Sequence, residues 1–285
     1  MSSAGAASLP SPAAVMEQAG DENFPVASRL LPRRVRAQLL AVYGYARLVD
    51  DTGDEYAGDR LAQLDEIEAD LARLWDGETP RQPLIARLRG AVTEHSLPID
   101  PFRALIEANR RDQTVHRYQT FAELESYCRL SANPVGELVL RIFDAATPER
   151  IALSDKVCTG LQLVEHWQDV AEDYAAGRIY LPGEDRDRFG VHEQDLAAPA
   201  APARLRALMA FEVDRARGLL DEGAPLAATL RGRSAFAVRA FVAGGRSALH
   251  AIERADYDVL GAHPRPGRAE RARRLMLELW AGRSR

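Results

Sequence analysis

Between Arg33 and Glu55 the chain runs RRVRAQLLAVYGYARLVDDTGDE, and this stretch decides the fold. Val35, Leu39, Val42, Tyr43 and Ala46 recur at three- and four-residue steps, the period of an amphipathic helix, with Pro32 suited to its first turn. Helical patterns continue over 58–76, 83–95, 101–112, 120–131, 134–145, 148–176, 202–222, 226–260 and 268–281, separated by Gly, Pro or short polar clusters. Strict period-two alternation is nearly absent, so the expected fold is all-α. The stretch from Pro182 to Pro202, rich in Gly, Asp, Ala and Pro, reads as a surface loop within one helical domain spanning 21–285. Residues 1–20, rich in Ala, Ser and Pro, read as a disordered leader.

Composition bounds the function. A chain of 285 residues with 46% apolar and 28% charged residues is an ordinary globular sequence that can bury a core without staples. The net charge of −5 supplies no basic field for nucleic acid, so no nucleic-acid partner is expected. Cys128 and Cys158 show neither zinc-ligand nor disulfide-framework spacing, which fits a reducing compartment. No stretch reads as a signal peptide or membrane span, and the expected location is cytoplasmic.

On a helical wheel started at Leu39, Tyr43, Ala46 and Asp50 fall within about 40°, Asp54 near 60° and Arg47 near 80°. Asp50 is therefore expected to point inward. Asp50, Asp51, Asp54 and Glu55 also crowd a helix C-terminus, where the macrodipole disfavours anions. Arg47 offers one compensating charge, and a hard divalent cation is the economical source of the rest. A second acidic run, Gln162-Leu-Val-Glu165-His-Trp-Gln168-Asp169-Val-Ala-Glu172-Asp173, sets Glu165, Asp169 and Asp173 at i+4 steps on one helical face. Either cluster alone is equally a solvated helix face. Together, on separate helices, they suit Mg²⁺ and a diphosphate, and hence ionisation of an allylic or cyclopropylcarbinyl diphosphate.

Four ordered motifs resemble the phytoene/squalene synthase family over about residues 21–280: Asn23-Phe-Pro-Val-Ala-Ser-Arg-Leu-Leu-Pro32, Tyr43-Gly-Tyr-Ala-Arg47-Leu-Val-Asp50-Asp-Thr-Gly-Asp54, Tyr127-Cys-Arg-Leu-Ser-Ala132-Asn-Pro-Val-Gly136, and Gln162 to Asp173 followed by Gly177-Arg-Ile-Tyr-Leu-Pro182. The resemblance implies a single-domain class I isoprenoid synthase helical fold with a central cavity. It implies Mg²⁺ at Asp50 and Asp54 and at Asp169 and Asp173, and a diphosphate contact at Arg47. Tyr127 is implied to stabilise the cation or position the diphosphate, with a core tyrosine as the plain alternative. Arg178 and Tyr180 are implied to touch substrate, and Phe24, Tyr43, Asn133 and Gln162 stand in the same motifs as substrate-side residues. Ala132 and Gly136 match small residues that admit the isoprenoid chain, although the same spacing serves close helix packing. Glu165 departs from the family's usual asparagine; it can ligate Mg²⁺ but adds a negative charge.

Within the family, Ser-Ala-Asn-Pro-Val-Gly, His-Trp-Gln-Asp and Val242-Ala-Gly-Gly245 resemble the hydroxysqualene-forming members of hopanoid biosynthesis. Those convert presqualene diphosphate and water to hydroxysqualene and diphosphate. NADPH is not expected. Two alternatives stay open: head-to-head condensation of two farnesyl diphosphates to presqualene diphosphate or squalene, and a catalytically silent prenyl-lipid-binding scaffold. The expected partners are an isoprenyl diphosphate, transiently a membrane surface, and the presqualene diphosphate synthase of the same pathway.

Overall fold

The computed structural model describes residues 31–261. The expected leader, Phe24 and the helix expected over 268–281 lie outside the described residues. Within them the chain is helical and carries no strand; an isolated parallel bridge joins Arg117 and Ile179. The chain divides into two compact units, one formed by residues up to Thr114 together with Glu137–Ala146, the other by Val115–Gly136 and the residues from Thr147 onward.

The first unit holds α1 (Arg33–Asp54), α2 (Arg60–Trp75), α3 (Pro83–Ala86), α4 (Arg89–His95) and α5 (Asp100–Asp112). Asp59 caps α2 by accepting from the Ala62 amide at 3.0 Å, which satisfies one orphan donor of the first turn. The core is aromatic at its centre. Phe102 takes the edges of Tyr45 and Trp75, with ring centroids 5.2 and 5.3 Å away. Tyr45 donates its hydroxyl to the Phe102 carbonyl at 2.9 Å, so the buried phenol leaves no polar group unsatisfied. Asp70 accepts from the amides of Arg81 and Gln82, both at 2.7 Å, and ties the turn before α3 to α2. The helix expected over 83–95 is two short pieces, α3 and α4, separated at Arg87 and Leu88.

The second unit contains α6 (Phe121–Ser131), the start of α7 (Asn133–Ile142), α8 (Pro148–Gln168), α9 (Val170–Ala175), α10 (Gly183–Phe189), a 3₁₀ turn (Glu193–Ala197), α11 (Ala203–Gly223), α12 (Leu226–Thr229) and α13 (Gly232–Arg254). Thr147 caps α8 through the Arg150 amide, with Pro148 at the position where a missing N–H costs nothing. Helices α8 and α11 pack closely: a Cβ at Gly223 would meet Val157 Cγ2 at 2.6 Å and the Leu153 carbonyl at 2.8 Å. The side chain of Leu220, on α11, fills the space left by Gly160 on α8 and Gly245 on α13.

Three sequence expectations are corrected here. The single helix expected over 148–176 breaks at Asp169, whose backbone (φ −105°, ψ 16°) leaves helical geometry between α8 and α9. The helix expected over 226–260 is α12 and α13, separated where Gly232 takes a φ of +59°. Pro182 to Pro202 is not a plain loop. It carries α10 and the 3₁₀ turn, held by long-range contacts: Glu184 accepts from the Phe121 amide at 2.7 Å, and Asp185 pairs with Arg215 at 2.7 Å. Arg215 also pairs with Glu212 at 2.8 Å and lies 4.2 Å over the Phe121 ring.

Candidate active site

In the first unit, the C-terminal half of α1 carries Tyr43, Arg47, Asp50, Asp51 and Asp54. The wheel expectation for Asp50 is corrected. The deeply buried stripe of α1 is Tyr45, Leu48, Val49 and Thr52, and the buried carboxylate is Asp51, whose oxygen lies 2.8 Å from Arg47 Nε. Tyr43, Ala46 and Arg47 are half-buried, and Asp50 and Asp54 are reached by solvent. Apolar spacing marks a face with little affinity for water and does not say whether protein covers it, so two adjoining stripes look alike in sequence.

Asp50 is nevertheless closely surrounded. Desolvation pushes its carboxyl up to about 6, with Asp54 and Asp51 adding repulsion, against the lowering effects of Asn109 and Arg47. Asn109 donates its amide to Asp50 Oδ1 at 3.1 Å and to the Leu105 carbonyl at 3.2 Å, so α5 orients the carboxylate. Nothing near the acid cluster in sequence points to Asn109; it reaches Asp50 only by the packing of α5 on α1.

In the second unit, the residues of the last two motifs converge. Backbone bonds from Asp169 to the Glu165 carbonyl (3.0 Å) and from Asp173 to the Asp169 carbonyl (2.8 Å) carry the acidic run across the break. Glu165 is exposed, and Asp169 and Asp173 are half-buried. After Gly177, whose φ of +84° suits glycine, the chain bonds back to the segment before α6: Ile179 to the His116 carbonyl at 2.9 Å and Gly183 to the Tyr118 carbonyl at 2.9 Å. Arg117 secures this return through the Gly177 carbonyl at 2.6 Å and Glu193 at 2.9 Å.

That return builds an aromatic cluster. Tyr180 lies between His166, stacked at 3.7 Å, and Tyr118, stacked at 5.8 Å; Tyr127 is 5.9 Å from Tyr180 and 6.2 Å from His166. His166, Asp173, Arg178 and Tyr180 line one small recess. Burial, and secondarily the Arg178 charge, push the His166 imidazole down to about 3, so it is neutral near pH 7. The Gln162 side-chain nitrogen is 3.3 Å from His166 Nε2. Sequence reasoning assigned no role to His166 or Tyr118. His166 stands inside the quoted acidic run; Tyr118 had no motif to mark it.

Gly136 of the small-residue motif faces α8. A Cβ on Gly136 would run into Ser154 Oγ and Cys158 Sγ of α8, the close-packing arrangement. Asn133 accepts from the Thr159 hydroxyl at 3.0 Å and joins α7 to α8. Ala132 is the half-buried cap of α6. Both cysteines are free thiols raised to about 12 by burial, which leaves them unreactive.

Among the described residues no three His, Cys, Asp or Glu side chains gather into a ready metal cage. The donors on offer are carboxylate oxygens, hard ligands of the type Mg²⁺ takes, and burial is the main reason the Asp50 carboxyl is raised, with Asp54 and Asp51 adding repulsion. These residues fit an ion that keeps waters and completes its shell with phosphate oxygens.

A chain that is helical over its described residues, with acidic clusters in each unit and with Asp173 and Arg178 beside the aromatic cluster of the second, has the parts of an enzyme that processes isoprenoid diphosphates. The chain belongs to the squalene/phytoene synthase family, which matches residues 18–280. It is 40% identical over 216 residues to the hydroxysqualene synthase of Rhodopseudomonas palustris, covering 74% of this chain and 72% of that one. The presqualene diphosphate synthase of the same organism is 33% identical over 210 residues, 73% and 75% of the two chains. Among solved structures, squalene synthase HpnC from Alicyclobacillus acidocaldarius superposes with a TM-score of 0.78 at 45% identity over 82% of this chain and 88% of that one. A dehydrosqualene synthase in complex with ligand superposes at 0.87 and 24% identity, over 96% of each chain, and shows the isoprenoid synthase helical fold. No helix among the described residues is long and apolar enough to cross a membrane.

Proposed function

We propose that the chain is a Mg²⁺-dependent hydroxysqualene synthase, converting presqualene diphosphate and water to hydroxysqualene and diphosphate in hopanoid biosynthesis. The observation that carries this reading is the buried cluster of His166, Tyr180, Tyr127 and Tyr118 with Arg178 and Asp173 at its edge. Electron-rich ring faces stabilise a carbocation, and a guanidinium holds the anion that leaves it. The 40% identical relative named for this reaction supports the product.

Asp50 and Asp54, and Asp169, Asp173 and Glu165, are the residues that would hold Mg²⁺; when bound, the ion supplies Lewis-acid stabilisation of the departing diphosphate. Arg47 and Arg178 bind phosphate oxygens. Tyr127 and Tyr180 shield and stabilise the cation, and Tyr43 and Gln162 line the substrate. Asn109 keeps Asp50 oriented. Because substrate and product are long hydrocarbons, the protein works in the cytoplasm with transient contact at a membrane surface, receiving substrate from a presqualene diphosphate synthase.

The test is product analysis with purified protein, presqualene diphosphate and Mg²⁺, with and without NADPH. Hydroxysqualene and diphosphate in equal amounts, independent of NADPH and lost on chelation, are expected. A second reading, condensation of two farnesyl diphosphates, is favoured by the 33% identical presqualene diphosphate synthase. Consumption of farnesyl diphosphate, with presqualene diphosphate left untouched, would establish it instead.

A further inference from the structure

We infer that Glu193 is a positioning residue for diphosphate binding: through Arg117 and Arg186 it fixes both ends of the return from Gly177 to Leu181, the segment that carries Arg178 and Tyr180. The inference rests on the reading of Arg178 as a phosphate contact and adds to it the carboxylate that holds this arginine in place.

The return has little regular structure to hold it. Ile179 bonds to the His116 carbonyl at 2.9 Å, but among the described residues no ladder extends the isolated bridge between Arg117 and Ile179. Two arginines fix its ends instead. Arg117 donates to the Gly177 carbonyl at 2.6 Å, and that carbonyl belongs to the peptide plane from which Arg178 departs. Arg186 donates from Nε to the Leu181 carbonyl at 3.3 Å, one residue beyond Tyr180. Glu193 meets both arginines. Its two oxygens accept from Nε and Nη2 of Arg117 at 2.9 and 3.1 Å, the two-pronged arrangement that sets the orientation of a guanidinium, and Oε1 lies 3.8 Å from Arg186 Nη1. The 3₁₀ turn that Glu193 begins reaches the same place, since its Leu196 lines the recess together with Arg178 and Tyr180.

Stability is a weak reason for this arrangement. The side chains of Arg117 and Glu193 are 32% and 45% exposed, and ion pairs that water reaches contribute little to folding. Phosphate recognition is more demanding, because a guanidinium displaced by about 1 Å loses its paired geometry on the phosphate oxygens. Taken as a bare charge, Glu193 repels a diphosphate held by Arg178, so removing that charge would tighten binding. Taken as a clamp, its removal loosens the return and weakens binding. The sign of the effect therefore separates positioning from electrostatics.

The test titrates the full chain, in buffer containing Mg²⁺, with inorganic diphosphate by calorimetry, after thermal unfolding has shown each variant to be folded. Glu193→Gln is expected to weaken binding about tenfold, and Arg117→Gln to do the same. In an Arg178→Gln background, Glu193→Gln is expected to change the affinity no further, because the group it positions is gone. With presqualene diphosphate as substrate, Glu193→Gln is expected to raise KM about tenfold and to change kcat by less than about threefold. Unchanged or tighter diphosphate binding in Glu193→Gln overturns the inference, and so does an equal fall with and without Arg178. If Arg178→Gln alone leaves the affinity at the parent's value, the phosphate role of Arg178 fails and the inference with it. If the parent binds diphosphate and the variants behave as expected, yet presqualene diphosphate yields no hydroxysqualene, the hydroxysqualene reading fails and the positioning of Arg178 by Glu193 stands.

Discussion

The imidazole of His166 lies face to face with the phenol ring of Tyr180, centroids 3.7 Å apart and planes 14° from parallel. The pair joins α8 to the strand-like return that follows Gly177, two segments that sequence proximity does not bring together. Because the imidazole is held neutral by burial, this is a contact between two uncharged rings. Tyr180→Leu is expected to lose about 1 kcal/mol beyond its buried area, a fall in Tm of about 2–4 °C, whereas Tyr180→Phe keeps the stack and most of the stability. Thermal unfolding of the two variants checks this; equal losses would show that the ring contact contributes nothing.

Asp50 sits in a setting that disfavours its charge. Its carboxyl is raised from 3.8 to about 6, so the folded state holds this proton more tightly than the unfolded chain. Its contribution to stability is therefore lost as pH rises between those values. In Mg²⁺-free buffer at pH 7, Asp50→Asn is expected to gain on the order of 1 kcal/mol, the shift being discounted because solvent reaches and screens the carboxylate. The same variant is expected to release diphosphate about 100-fold more slowly. Denaturant unfolding and a diphosphate assay read the two effects separately.

Glu212 is fully buried with Arg215 and Asp185, and desolvation raises it from 4.5 to about 8 despite the arginine. Stability is expected to decline as pH climbs through that window, since the unfolded chain gives up the proton first. Glu212→Gln removes the titration and is expected to flatten the stability profile between pH 5 and 8, at about 1.4 kcal/mol per pKa unit removed. A parallel decline in parent and variant would assign the slope to other groups.

Gly136 tests the packing of α7 on α8. Gly136→Val drives methyl groups into Ser154 and Cys158 and is expected to cost about 1–3 kcal/mol, with Gly136→Ala less damaging. Substrate-length selectivity measured at a temperature where both variants are folded is expected to follow the parent. A changed chain-length preference in a fully stable Gly136→Ala would show that this position faces substrate.

Most helices are legible because their apolar periods are long. The exceptions are instructive. Gly183–Phe189 has a single apolar side chain, at its end, and no period to read; its helix is held by Asp185 on Arg215 and Glu184 on the Phe121 amide, partners distant in sequence. The break at Asp169 is equally invisible, because the i+4 spacing of the acids persists across it. The motifs name Asp173, Arg178, Tyr127 and Tyr180, which the structure brings near one another in the candidate site. The contacts of Tyr118, Asn109 and His166 depend on packing between segments.

Read alone, the sequence determines that the chain is helical, that its acids fall in two clusters near helix ends, and that its motifs are those of the squalene/phytoene synthases. These properties are local, set by side-chain period and charge within a few turns. The tertiary structure alone decides that Asp51 rather than Asp50 is the buried acid of its helix, that Gly136 is closed by Ser154 and Cys158, and that His166 meets Gln162 and stacks on Tyr180. Burial and desolvation depend on which segment covers a face, and a periodic pattern carries no record of its cover.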